Sequence, residues 1–399
     1  MSLIIFILIL VSLILVHEFG HFIIAKAFGI RVDEFGIFFP PRIFAIKWRG
    51  TEYSLNWLPF GGFVKIFGEN GEQSQEISKP EQNSVAEPKT DAESSAQALT
   101  NQTFPRNDSA SAAGASFVHK PRPVQAAVIV AGIVFNLAFA WLILSAGYMV
   151  GIPTSADHKG FGTVQNAHAT IVDVLPGSPA DKAGLKAGDV VETVITGTAS
   201  LQAGATAENV QQFIAVHQDE SIGLTVQRGG AEVSAIAVPV AGIAEGHKAL
   251  GVALGDVGVL KLSLLPALGQ GALLAKEITI STAAGLLGFF AQIFHGTADF
   301  AGVSGPIGIA GMGSTAVQEG IIATIILTAL ISINLAIINL LPIPGLDGGR
   351  LLFIVIEAIT RRPISPRFTL AFTLAGFGLL ILLMIVVSYH DVLNLVRPV

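Results

Sequence analysis

The sequence predicts a polytopic α-helical membrane protein with four transmembrane helices, an inserted membrane-associated β-hairpin segment and one extracytoplasmic α+β domain. Three observations predict it. Of 399 residues, 51% are hydrophobic and only 13% are charged, with a mean hydropathy of +0.65, whereas a soluble domain carries about a quarter charged residues. Four stretches, near residues 3–24, 124–150, 321–341 and 368–388, reach the ~20 apolar residues that a bilayer crossing needs. Between the second and third of these, short β-rich runs alternate with turn residues and two helical patterns. The net charge of −6 contains no basic block, which excludes nucleic acid as a partner. With no cysteine, any metal must be held by His, Asp or Glu.

In chain order, residues 1–27 form the first span and carry the string HEFGH inside their own apolar run. They lack the positive n-region and small-residue cleavage site of a signal peptide. Residues 28–68 read as a membrane-associated β segment, with β-rich runs at 35–39, 44–48 and 53–58 broken by Pro-Pro, Arg-Gly and Gly-Gly. Backbone of that kind beside a membrane helix must pack on protein or line a wet cavity. It is either a packing hairpin or an edge strand with which a substrate pairs. Residues 69–120 are poor in aromatics and rich in Glu, Gln, Ser, Asn and Pro, the composition of a flexible cytoplasmic loop. The second span covers 121–151. Residues 243–318 are a linker with interfacial helices, including a short apolar piece at 283–294 behind Lys276 and Glu277. The third span and its Leu-Asp-Gly string cover 319–350, and the fourth span covers 366–390.

Basic residues orient the spans. Lys26, Arg31 and Arg42 follow the first, Lys120 and Arg122 precede the second, and Arg350, Arg361, Arg362 and Arg367 lie between the third and fourth. These loops are therefore cytoplasmic, and both termini and the domain at 160–242 are extracytoplasmic. In that domain, strands are expected at 171–175 and 190–195 and a helix at 207–216. A hairpin at 222–227 and 233–240 turns at Gly229-Gly230. Ser178 is the N-cap of a short helix that Gly184 closes. The string PGSPADKAGLKAGD, Pro176 to Asp189, resembles the bacterial PDZ signature. The resemblance implies a sheet edge that takes an extended peptide or chain end; a size filter over the membrane site is the other reading.

HEFGH carries the chemistry. Residues four apart share a helix face, so His17 and His21 can hold one metal. Zinc in such a site acidifies water to a pKa of about 7, and Glu18 can take the proton without being a ligand. Three such polar groups in an apolar span would each cost several kcal/mol if idle. Asp347, in NLLPIPGLDGGR, is the candidate for the third ligand; a loop aspartate capping a Gly-Gly turn is the other reading. The first and third spans run in the same direction. His17 lies roughly 20 Å along its helix from Leu3, at ~1.5 Å per residue, and Asp347 follows the end of the third span, so the two sit at compatible depth. A membrane scaffold has no need of Glu18, and a transporter would show internal repeats, which the chain lacks.

At these residues the chain resembles the site-2 protease family, and within it the RseP-like bacterial members. The likeness covers HEFGHFIIAKAFGIRVDEF, EYSLNWLPFGGFVKI, AAVIVAGIVFNLAFA, the PDZ string, VSGPIGIA and SINLAIINLLPIPGLDGGR in that order. It implies a zinc-dependent intramembrane endopeptidase of the bacterial inner (cytoplasmic) membrane. Its substrates would be single-span membrane proteins in the bilayer, such as anti-sigma factors or signal-peptide remnants, cut in regulated intramembrane proteolysis. It implies zinc on His17, His21 and Asp347, catalysis by Glu18, and substrate handling by Asn334 and Asn339. Three features depart from the family: Gly132-Ile133 stands where Gly-Pro is usual, which puts a kink in doubt; one PDZ-like module is visible rather than two; and the polar loop after residue 68 is long.

Overall fold

A computed structural model describes residues 2–69, 116–202, 204–243, 247–297, 305–362 and 364–396. The flexible loop expected at 69–120 falls largely outside the described residues. Two units separate, one of residues 1–140, 277–317 and 328–399, the other of 141–276 and 318–327. Five described helices are long and apolar enough to cross a membrane, and the chain is a multi-pass membrane protein.

In the first unit, α1 (Ser2–Ala27) and α2 (Arg122–Val150) touch backbone to backbone. A Cβ on Gly20 would lie 2.6 Å from the carbonyl oxygen of Ala131, so only glycine allows the approach. The helix α2 continues unbroken through Gly132-Ile133. The strands β1 (Val32–Trp48) and β2 (Thr51–Ile66) do more than form a plain hairpin. Both bend, so that the first half of β1 lies between the two halves of β2: Phe35 faces Val64 on one side and Tyr53 on the other. The near part packs on α1 through Phe22, whose ring centroid is 5.4 Å from that of Phe35 and 6.0 Å from that of Tyr53. The far part exposes Ile43, Phe44, Ile46, Trp48 and Trp57. Within it Arg42 reaches Glu52 at 2.6 Å and Glu34 at 3.0 Å, and the Arg49 guanidinium lies over the Trp48 ring.

The C-terminal end of α1 and the N-terminal end of α2 share a core of Ala25, Ile30, Val32, Ile66, Phe117, Val128, Ile129 and Ile354. Ile354 belongs to α8 (Asp347–Thr360), which follows α7 (Ile321–Leu340). The helix α8 was not foreseen: the Gly-Gly pair after Asp347 reads as a turn, yet Asp347 opens a helix. The cause is crowding. A Cβ on Gly348 would lie 2.1 Å from the carbonyl oxygen of Leu341, and one on Gly349 2.4 Å from that of Ile343, so the glycines let the first turn fold flush onto the loop before it. The helix α9 (Pro366–Val396) meets the same loop at Gly376, where a Cβ would lie 2.1 Å from the carbonyl oxygen of Pro344.

The second unit is a seven-stranded antiparallel sheet ordered β3-β9-β4-β5-β7-β8, with β6 on β5. Its strands are β3 (Ile152–Ser155), β4 (Gln165–Val174), β5 (Val190–Ile195), β6 (Ser200–Leu201), β7 (Ile222–Arg228), β8 (Ala231–Ala237) and β9 (Val252–Leu260). The sheet reaches past the expected limits of 160 and 242, because β9 and β3 pair across the chain ends of the domain, Ile152 opposite Leu260. Helix α3 (Pro179–Lys182) is capped by the Ser178 hydroxyl, which accepts from the Asp181 N–H; such a cap contributes about 1 kcal/mol. Helix α4 (Ala207–Val216) buries Val210 and Ile214 against Ile171, Val194 and Leu224. The fully buried Asp189 carboxylate is gripped by Arg228 at 2.6 and 2.7 Å. Between the sheet and α7 runs α5 (Leu264–His295), one continuous helix containing Lys276 and Glu277, followed by α6 (Pro306–Glu319). The sequence had shown only a short piece at 283–294.

Candidate metal centre

Three side chains from two distant parts of the chain converge in the first unit. His17 and His21 point from one face of α1, four residues apart, and their Nε2 atoms are 3.2 Å from each other. Asp347, at the first turn of α8, places Oδ2 3.0 Å from His17 Nε2 and 3.2 Å from His21 Nε2. Both histidines are 8% exposed. Among the described residues no other group hydrogen-bonds that Asp347 oxygen, which is buried.

The triangle fits a metal. His21 Nδ1 lies 2.8 Å from the carbonyl oxygen of Val128. A carbonyl can only accept, so Nδ1 carries the proton and Nε2 presents a lone pair to the centre. A buried carboxylate oxygen then faces imidazole lone pairs, an arrangement that is repulsive unless a cation sits among them. Donors ~2.0–2.1 Å from a tetrahedral ion stand about 3.3 Å apart, close to the spacings found. Two imidazoles and one carboxylate are the donor set of a hydrolytic zinc site with an open fourth position.

The helix α2 supplies what surrounds the ligands. Asn136, fully buried, has its amide 3.3 Å from His17 Nδ1, and its backbone carbonyl accepts from the Ser332 hydroxyl at 2.8 Å. The Asn136 Oδ1 atom has no hydrogen-bond partner among the described residues. Turned over about its Cβ–Cγ bond, the amide lets Oδ1 accept from His17 Nδ1 and frees Nε2 for the metal, as second-shell groups do. Gly132 is the second contact: a Cβ there would lie 2.5 Å from His21 Nε2 and 2.7 Å from His17 Cε1. Sequence reasoning noticed Gly132 only for the proline missing after it. It passed over Asn136, although an amide in an apolar span was a usable signal.

Glu18 lies beside this triangle without joining it. The edge of β2 passes over it, Gly62 having room for a Cβ only 3.1 Å from Leu15 Cδ2 and 3.8 Å from Glu18 Cγ. Asn334 and Asn339 sit half-buried on α7.

The comparisons agree with this chemistry. The model of peptidase family M50 matches residues 5–383. A zinc metalloprotease RasP of Oceanobacillus iheyensis is 29% identical, with 98% of each chain covered, and one of Shouchella clausii is 30% identical, with 99% of each covered. The chain therefore belongs to peptidase family M50, the site-2 type of metalloendopeptidase.

Proposed function

We propose that this zinc metalloprotease cuts single-span membrane proteins within or beside the bilayer, in the manner of regulated intramembrane proteolysis. The observation that carries the reading is the convergence of His17, His21 and Asp347 among helices long and apolar enough to cross a membrane. Zinc held by these three donors supplies a Lewis acid that polarises a peptide carbonyl and acidifies water. The Glu18 carboxylate, not a ligand, takes the proton from the attacking water and passes it to the leaving nitrogen, so that water is added across the C–N bond. The free edge of β2 beside Glu18 can hold a substrate as an added strand, and an unwound segment is what a protease needs, since a helix hides its own backbone. Asn334 and Asn339 offer amides to such a backbone.

Four spans, rather than five, suit the packing of the first unit. The residue Phe6, near the start of α1, fills the space over Gly313 of α6, while Ile354 of α8 packs at the other end with Ala25 and Ile30. The intervening α7 is then parallel to α1. Since α2 starts at the Ala25 end, the chain between α2 and α7 crosses an even number of times. The 14 residues of α6 extend about 21 Å, short of the ~30 Å core, so α5 lies along the surface. The sheet domain and both termini are extracytoplasmic by the basic residues quoted above, in a bacterial inner membrane. In the domain, a cleft of about 410 Å³ between α4 and β9, lined by Leu175, Ile214, Leu250, Val252 and Lys248, suits the extended peptide or chain end that a PDZ-like module takes.

The test is cleavage of a single-span reporter in detergent. Wild-type protein should cut and be stopped by a chelator, and Asp347→Asn should lose both zinc and cleavage. Cleavage by Asp347→Asn at the wild-type rate with its zinc gone would remove this site from the reaction.

A further inference from the structure

One carboxylate near the centre is assigned no part in it. Glu69 ends the turn that leaves β2, and its position is fixed by its neighbours. Phe67 is held by backbone hydrogen bonds to Arg31 and Phe117, each 2.9 Å. Gly68 takes the left-handed conformation at φ +79°, in a spot where Ser116 leaves no room for a side chain. The Glu69 side chain is 16% exposed, and its carboxylate pairs with the Arg350 guanidinium. It also lies within Coulombic range of Glu18.

Arg350 stands three residues after Asp347 on α8. Residues at that spacing are neighbours on a helix surface, about 5–6 Å apart at Cβ, and an Asp–Arg pair there attracts. Without another partner, the guanidinium has a carboxylate within reach, and that carboxylate is a metal ligand. Bidentate pairing with Arg competes directly for the oxygens that a cation would use.

We propose that Glu69 is a positioning residue that holds Arg350 away from Asp347, keeping the Asp347 carboxylate free for zinc, and that it ties the β2 edge over Glu18 to the ligand-bearing helix. The second tie of α8 lies two turns on along the same face. There Glu357 pairs with Arg122 at 2.6 Å and accepts the Ile364 N–H at 2.9 Å, and this pair has no carboxylate ligand to protect.

This inference rests on the metalloprotease reading, and the experiment separates the two. Full-length protein in detergent is loaded with zinc, dialysed against a graded chelator series and assayed for retained zinc, reporter cleavage and melting temperature. Glu69→Gln should hold zinc about tenfold more weakly, the size of a second-shell loss, with its melting temperature within a few degrees of wild type. Glu69→Gln combined with Arg350→Gln should return zinc retention to within about twofold of wild type, because the competing cation is gone. Glu69→Asp, which keeps the charge on a shorter arm, should fall between; should Glu69→Gln not fold, Glu69→Asp with and without Arg350→Gln gives the same comparison. Unchanged zinc retention in Glu69→Gln would overturn the proposal. So would a double variant no better than the single one, which would make the pair a packing contact. Wild-type protein that binds no zinc would remove the metalloprotease reading and this inference together, whereas a zinc-binding, cutting wild type matched by Glu69→Gln removes the inference alone.

Discussion

At the scale of single residues, the centre depends on groups that cannot be enlarged or replaced. Gly132→Ala would push a methyl group into the imidazoles of His17 and His21, where 2.5 Å is available. Zinc retention against a chelator should fall at least tenfold, the loss typical of a disturbed second shell; retention equal to wild type would show that α2 yields. Asn136→Ala should produce a similar loss through His17, while leaving Glu18 and the substrate edge untouched, so the reporter's KM should change less than its zinc dependence. The pair His17 and His21 was legible in the sequence because helix periodicity alone puts residues four apart on one face. Asp347 was legible because an acid in an apolar neighbourhood needs a partner. The positions of Asn136, Gly132 and Glu69 are set by contacts between α1, α2, β2 and α8, which no local pattern encodes. The Asn136 amide in an apolar span was a signal that the sequence carried, but its partner, His17, emerges only once the helices are packed.

At the scale of elements, the sequence read regular segments well and bent or crowded ones poorly. Residues 190–195 and 207–216 stand as strand and helix with the expected ends, because alternation and helical spacing were clean there. The β segment departed most. Its three expected runs are parts of two bent strands, and the doubled register, with Gly36 opposite both Phe63 and Ser54, comes from long-range pairing that short runs do not display. Within the sheet domain, Asp189 is the element-scale keystone. Burial pushes its carboxyl up, but the Arg228 guanidinium and the Lys186 N–H outweigh that and hold it below the ordinary carboxylate range. A depressed folded pKa means that this stabilisation is full above pH ~4 and is lost as pH falls below it. Protection of the β5 and β7 amides in the full-length protein, taken relative to the intrinsic exchange rate at each pH, should fall in acid for wild type. Arg228→Ala should already exchange faster at pH 7, by an amount reflecting about 3 kcal/mol for a buried charge left unpaired. Equal protection in the two proteins at pH 7 would contradict this role.

At the scale of the whole molecule, the open issue is which of five long apolar helices cross. Length and composition admit α5, and Lys276 with Glu277 near its middle leaves the decision to parity. The chain has no cysteine, so single introduced thiols report cleanly. Leu265→Cys and Thr297→Cys, one at each end of α5, should both react with an impermeant maleimide added from the same side of the membrane; labelling of one end alone would make α5 a fifth span and reverse α7 relative to α1. The measurement that tests the central claim most directly compares wild type with Glu18→Gln, purified in detergent, for zinc content and cleavage of a single-span reporter. The account predicts that both proteins hold zinc, since Glu18 is not among the three converging donors, and that only wild type cuts, with the variant's rate lower by at least 10²-fold, as expected for a lost general base. A variant that binds zinc and still cuts at the wild-type rate would contradict it.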